Sequence, residues 1–237
     1  MTLGVFHQAF NNFKATEEAI KSFRNYHSDN PYVLVSDGGE DFSDLAREYN
    51  CFYIHAETNL GYRDHNHSSG IYGMTKEEVL TWLHRFNTAC EMCQTDHILM
   101  MEDDVHIRGE IHVPDDWEFA GQAKPGNLLQ EPFMDYLTQK YGVEWNVNYY
   151  GTGGGSIFNA KTFLANYKRV ISIFDEEFNY IKENLCGNLG WVDVWMPMYY
   201  FLCGKKYRHN SLLTETTSNP IWTISKEPIV HQYKVHY

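Results

Sequence analysis

Over its first 105 residues the chain alternates short apolar runs with amphipathic stretches at helical spacing, and no other feature constrains its fold so tightly. Leu3-Gly4-Val5-Phe6 reads as a strand, and Thr16 to Tyr26 as a helix with acids early and bases late, the order a helix dipole favours. Pro31 opens a second strand, Tyr32-Val33-Leu34-Val35, which runs out into Ser36-Asp37-Gly38-Gly39. A second helix spans Phe42 to Tyr49, and Cys51-Phe52-Tyr53-Ile54-His55 is a third strand. A polar loop from Glu57 to Gly73 leads to a long amphipathic helix, Lys76 to Gln94, and then to Ile98-Leu99-Met100-Met101. Strands that alternate with helices require right-handed parallel crossovers, hence an open α/β sheet with ligands at the carboxyl ends of its strands. Those ends carry Ser36-Asp37 and Glu102-Asp103-Asp104.

The second of these ends is unusual, because four apolar residues run straight into three acids. Side chains alternate faces along a strand, so Glu102 and Asp104 are expected to point one way and Asp103 the other. Acids are costly to bury unpaired, so such a cluster is either well solvated or holds a hard cation whose charge offsets it. Asp37 has two readings as well: an acceptor for a ribose or a base edge, or ordinary Asp-Gly-Gly turn chemistry. Asn59-Leu60-Gly61-Tyr62-Arg63 sets a guanidinium in the loop after the third strand, either solvated or placed to meet a diphosphate. No GxGxxG or GxxxxGK[ST] occurs at a strand-to-helix junction, which disfavours dinucleotide binding and P-loop phosphoryl transfer.

A net charge of -12 argues against duplex nucleic acid as a partner, which needs a basic surface. The N-terminus has no basic segment followed by an apolar core, and no apolar run reaches the length of a membrane span, so a cytoplasmic protein is expected. Cys90-Glu91-Met92-Cys93 is a CxxC within a helical pattern, without a second pair at zinc spacing, and reads as core thiols.

After Ile111 the strict alternation is lost, and Pro114, Pro125 and Pro132 mark a loop-rich stretch. Tyr149-Tyr150-Gly151-Thr152-Gly153-Gly154-Gly155-Ser156 combines two aromatics with a glycine-rich turn. A helix from Lys161 to about Phe174 follows, then Trp191-Val192-Asp193-Val194-Trp195-Met196 sets an acid among bulky apolar residues. With no repeat, low-complexity run or linker, residues 1–237 read as a single domain.

The order of a strand, a strand with a terminal Asp, an Asn-x-Gly-x-Arg loop, a long helix, an acid-tipped strand, a glycine-aromatic loop and a helix-borne acid resembles the GT-A fold nucleotide-sugar glycosyltransferases, in particular short soluble bacterial or viral types. The likeness spans nearly the whole chain as an arrangement, and the acidic triplet, which is similar to that family's DXD motif, is its sharpest part. It implies a Rossmann-like α/β domain with a mixed central sheet flanked by helices. Residues 1–105 would form the nucleotide-sugar half and 106–237 the acceptor half.

By the same resemblance Asp104 is the direct ligand of Mn2+ or Mg2+, with Glu102 and a late histidine, His231, completing the metal site. Glu102 and Asp103 would also serve water-bridged, ribose or sugar contacts. Phe6, His7, Gln8 and Ala9 would wrap the base, joined by Asp37, Asn59 and Arg63, and Lys234 would approach the diphosphate. The loop with Tyr149, Tyr150, Gly154 and Gly155, together with Trp191, would meet sugar and acceptor, and Trp195 is a further stacking candidate if not core.

Departure of a diphosphate calls for a cation on its oxygens, and inversion calls for a carboxylate base, for which Asp193 is the candidate. Its alternatives are a helix cap or a sugar-hydroxyl contact. The expected activity is hexose transfer from a UDP-sugar to a glycan or glycoside acceptor. The end of the chain just after Lys234 is compatible with one domain of a longer multidomain glycosyltransferase. The rival readings are a nucleotidyltransferase acting on sugar phosphates, which usually has a basic glycine-rich loop after the first strand, and a non-catalytic carbohydrate-binding domain.

Overall fold

Four parallel strands build the half of the sheet that the alternation predicts. In spatial order they are β3 (Phe52–Ala56), β2 (Tyr32–Asp37), β1 (Leu3–Ala9) and β4 (His97–Met101). β1 aligns Ala9 with Ser36 of β2 and His7 with Met101 of β4, so the three carboxyl ends lie along one edge. β7 (Ile157–Asn159) then adds antiparallel to β4, followed by β6 (Phe119–Gly121) and β8 (Tyr207–His209), which makes a seven-stranded mixed sheet. The computed structural model describes residues 2–60, 74–121, 131–144, 153–184, 192–215 and 226–231, with backbone alone at 131, 192–194 and 215.

Local chemistry sets the helices against this sheet. α1 (Phe13–Arg24) starts where Asn12 Oδ1 accepts from the Ala15 amide, 3.0 Å away. α2 (Ser43–Glu48) is a short crossover. α3 (Lys76–Cys93) opens on a capping box, in which Thr75 Oγ1 accepts from the Glu78 amide and the Glu78 carboxylate from the Thr75 amide. Its far end packs onto Gly4 so closely that a Cβ there would stand 2.8 Å from Cys93 Cβ. That contact decides the parity of β1. Phe6 joins the α3 face with Trp82, Phe86 and Phe158, and Val5 and Ala9 join the α1 face with Phe23, Tyr32 and Leu99. Cys90 and Cys93 are buried in α3, where burial pushes Cys93 up to about 11, so the CxxC is a pair of core thiols, as expected.

The second half departs from the expected elements in three places. Pro132, expected in a loop-rich stretch, stands in the first turn of α4 (Glu131–Tyr141), where its missing N–H has no intrahelical partner to lose. The helix expected to stop near Phe174 continues as α5 (Ala160–Asn184), because Phe178 and Ile181 prolong its apolar stripe past Asp175, Glu176 and Glu177. A second, three-stranded sheet also forms: β10 (Ile229–His231) lies between β5 (His106–Ile107) and β9 (Leu213–Glu215). α6 (Val192–Leu202) completes the α3 face, where Tyr199 and Tyr200 are buried. Among the described residues, no helix is long and apolar enough to cross a membrane.

Candidate metal centre

β4 ends at Met101, and the chain turns at once, with the Val105 amide donating to the Glu102 carbonyl at 3.0 Å. The three acids therefore stand in a turn rather than in the strand, yet they still face opposite ways. Glu102 and Asp104 meet His231, whose Nε2 lies 3.6 Å from Glu102 Oε2 and 3.6 Å from Asp104 Oδ1. Asp103 turns to β1 and α1, where its Oδ1 is 3.1 Å from His7 Nε2 and 3.0 Å from Thr16 Oγ1.

The small sheet brings His231 to this point. β5 begins two residues after Asp104 and pairs antiparallel with β10, Val230 opposite His106, so the segment that follows the acids fixes the strand that carries the histidine. A glycine turn supplies the floor. Met100 donates to Ser156 and accepts from Gly155, at 2.9 and 2.8 Å, which docks the turn on the end of β4. A Cβ on Gly153 would lie 3.0 Å from His231 Cε1, and one on Gly154 only 2.4 Å from Val105 Cγ2 and 3.1 Å from His231 Cδ2. The imidazole thus lies directly on glycine backbone. Asn210, fully buried, donates to the Gly155 carbonyl at 2.9 Å and holds the turn from behind.

One nitrogen and two carboxylates converge so that their ligand atoms all lie within 4.8 Å of one another. Ligands bound to a small divalent cation at about 2.1 Å stand roughly 3–4 Å apart, so this set fits such an ion after small side-chain movements. Two carboxylates and one imidazole, with no thiolate, suit a divalent cation of the hard or borderline class. Burial would raise the Glu102 carboxyl, but the His231 imidazole, then His7 and the Gly154 amide, outweigh it and hold that carboxyl below its ordinary value. Glu102 is accordingly ionised at neutral pH.

The other expected site residues are distributed differently. Asp37 is 1% exposed, and its carboxylate takes Arg85 Nη1 at 2.5 Å, the Leu60 amide at 2.8 Å and Gln8 Nε2 at 2.9 Å. With those protein donors around it, Asp37 braces the start of the polar loop. Asn59 Nδ2 donates to the Asp37 carbonyl at 2.9 Å, in the same brace. The side chains of Phe6 and His7, expected near the base, are both buried. Phe6 is in the core, edge-on to Trp82 and Phe86, and His7 is buried between Tyr32 and Asp103. Ala9 is buried on the α1 face and Gln8 is engaged by Asp37, so the last residues of β1 position their neighbours from within.

Gly154, expected on the sugar side, lies beneath the histidine, and Gly155, expected there too, packs against Leu213 and Ile229 of the small sheet. Trp195 is 1% exposed and stacks on Phe178 at 5.0 Å, a core residue rather than a sugar platform. Arg63, Tyr149, Tyr150, Trp191 and Lys234 lie outside the described residues, and Asp193 is described by its backbone alone, as the second residue of α6.

Arg85, Thr16 and Tyr32 were not among the expected site residues. A signal for Arg85 is present in the sequence: it sits in the buried stripe of α3 between Trp82 and Phe86, where a charge requires a partner. Thr16 and Tyr32 carry no comparable mark, since a Thr in a helix and a Tyr in a strand are both ordinary.

No protein-family model matches the chain, and no curated protein matches it. Among solved structures it is similar to the galactosyltransferase LgtC in complex with donor and acceptor sugar analogs, with TM-score 0.51 and 15% identity over 96% of this chain and 86% of that one. An active-site mutant of LgtC gives TM-score 0.54 and 14% identity with the same coverage. At such identity the likeness is one of fold. Together with the mixed sheet flanked by helices, it gives this chain the GT-A fold.

Proposed function

We propose that this GT-A chain is a divalent-metal-dependent glycosyltransferase that moves a hexose from a UDP-sugar to a glycan acceptor. The observation that carries the reading is the convergence of Glu102, Asp104 and His231 beyond β4, at the strand edge where open α/β sheets take their ligands. Glycosyl transfer from a nucleotide sugar leaves a diphosphate, and a protein of net charge -12 needs a local cation to receive it.

In this reading Glu102, Asp104 and His231 hold Mn2+ or Mg2+. The bound ion supplies Lewis-acid stabilisation of the charge that grows on the leaving diphosphate. The chain's own residues bind and orient. Glu102 and Asp104 are fixed to one side of the turn, and the glycine floor keeps His231 from tilting away. The Asp37–Arg85 pair braces Thr58 to Leu60, at the start of the polar loop, which would line the nucleotide. Arg63 and Lys234 are proposed for the diphosphate, Tyr149, Tyr150 and Trp191 for the sugars, and Asp193 for taking the proton of the acceptor hydroxyl.

The test is release of UDP from a panel of UDP-sugars, followed by chromatography with manganese and with chelator. We expect metal-dependent release from at least one donor. No metal-dependent release from any donor, together with no UDP binding, would overturn the reading.

A further inference from the structure

The middle acid of the triplet has partners that a cation centre does not use. Asp103 faces His7, and His7 is fully buried, with its second ring nitrogen 2.7 Å from the Tyr32 hydroxyl, which is also fully buried. The His7 ring therefore bridges the two groups, with Nε2 at the Asp103 carboxylate and Nδ1 at the Tyr32 hydroxyl. Burial pushes the Tyr32 phenol well above its ordinary value, which keeps that hydroxyl a donor. Thr16 Oγ1 adds a contact from α1, its single proton shared between Asp103 and the Asn12 carbonyl, 2.9 Å away. A line of hydrogen bonds therefore runs from β2 through β1 to the turn after β4.

Three consecutive acids repel one another, and a turn of three acids has more than one way to share a cation. We infer that His7 is a positioning residue of the cation centre: the Tyr32–His7–Asp103 line, with Thr16, ties the middle acid to β1 and so directs Glu102 and Asp104 together towards His231. This rests on the metal-site reading above. Asp103 in this arrangement is a strap, not a ligand. Releasing it lets the turn rotate and scatters the two outer carboxylates, without removing any group that would touch the ion.

The experiment is manganese binding to the full chain, read by electron paramagnetic resonance of the free ion, with circular dichroism to establish folding. His7→Phe should weaken Mn2+ about tenfold, the scale on which outer partners of metal ligands act. His7→Gln, which can still donate to Asp103, should recover part of that loss. Thr16→Val should weaken binding about threefold, since it removes one shared hydrogen bond. In an Asp103→Ala background both substitutions should change affinity less than about twofold, because the group they act through is gone. A merely structural role for His7 would leave its effect undiminished in that background, and this result overturns the inference. Folded His7→Phe and Thr16→Val chains with wild-type affinity overturn it too, and if His7→Phe does not fold, Thr16→Val and its double variant decide. Wild-type protein that binds no Mn2+ would sink the metal reading and this inference together, an outcome distinct from the other two.

Discussion

Two acidic strand ends lie along the same edge of the sheet, with β1 between them, and they have opposite fates. Asp37, at the end of β2, is closed off by the Arg85 guanidinium, the Leu60 amide and the Gln8 side chain, and solvent barely reaches it. Glu102 and Asp104, beyond β4, keep side-chain exposures of 42% and 31% and face the nitrogen of a histidine. The chemistry of the acids is the same; what differs is the opposing element. Helix α3 brings a permanent cation to Asp37, whereas β10 brings an imidazole to Glu102 and Asp104, a nitrogen donor that together with the two carboxylates could hold an ion.

The sharpest way to break that contrast is to remove the internal cation. Arg85→Met should leave Asp37 as a buried uncompensated charge and cost about 3–5 kcal/mol in urea denaturation, with Mn2+ affinity nearly unchanged. A larger change in Mn2+ affinity than in stability would mean that the two ends are one site. Asp104→Ala should show the converse: a loss of about 100-fold in Mn2+ affinity, at or beyond the range seen for outer partners, with little change in the urea midpoint.

Gly154→Ala addresses the floor of the metal centre. Its Cβ would meet Val105 and His231, so we expect a stability loss of about 1–3 kcal/mol together with weaker Mn2+ binding, and calorimetry reads both.

The smallest effect concerns Asp96, at the amino end of β4, which is a surface version of the Asp37 pairing. Lys161 foremost, then the Thr2 amide, holds its carboxyl well below the usual range. A depressed carboxyl stabilises the fold above its unfolded value of about 3.9 and loses that contribution as pH falls through the lower folded value. In melts between pH 6 and pH 3 the advantage of wild type over Asp96→Asn should therefore shrink towards acid. An equal gap at both ends would show that Asp96 stabilises by shape and not by charge.

The parts legible in the sequence share one property, which is that local pattern decides them. Strands before Asp37 and Glu102 follow from short apolar runs, whereas the opposite facing of Asp103 and Asp104 agrees with the expected alternation in outcome but arises from the turn in which they stand. What pattern left open was contact at long range. Nothing in a three-residue strand such as β10 or a two-residue strand such as β5 announces the small sheet that carries His231, so the histidine was reachable only through resemblance. The parity of β1 was hidden for a similar reason. Gly4 admits the end of α3, and that close approach sends Phe6 into the core and His7 towards Asp103. Arg85, by contrast, was readable as a charge on a buried stripe, and the length of α5 was readable from Phe178 and Ile181 once the acids before them were recognised as one turn of a longer helix.

The central claim is that the chain's open acidic end takes a divalent cation while its closed end does not. An anomalous-difference map from a crystal soaked in manganese chloride and UDP tests it most directly. We expect a peak between Glu102, Asp104 and His231, with none at Asp37. A peak beside Asp103 or Asp37, or no peak among the three ligands while UDP is bound, would contradict it.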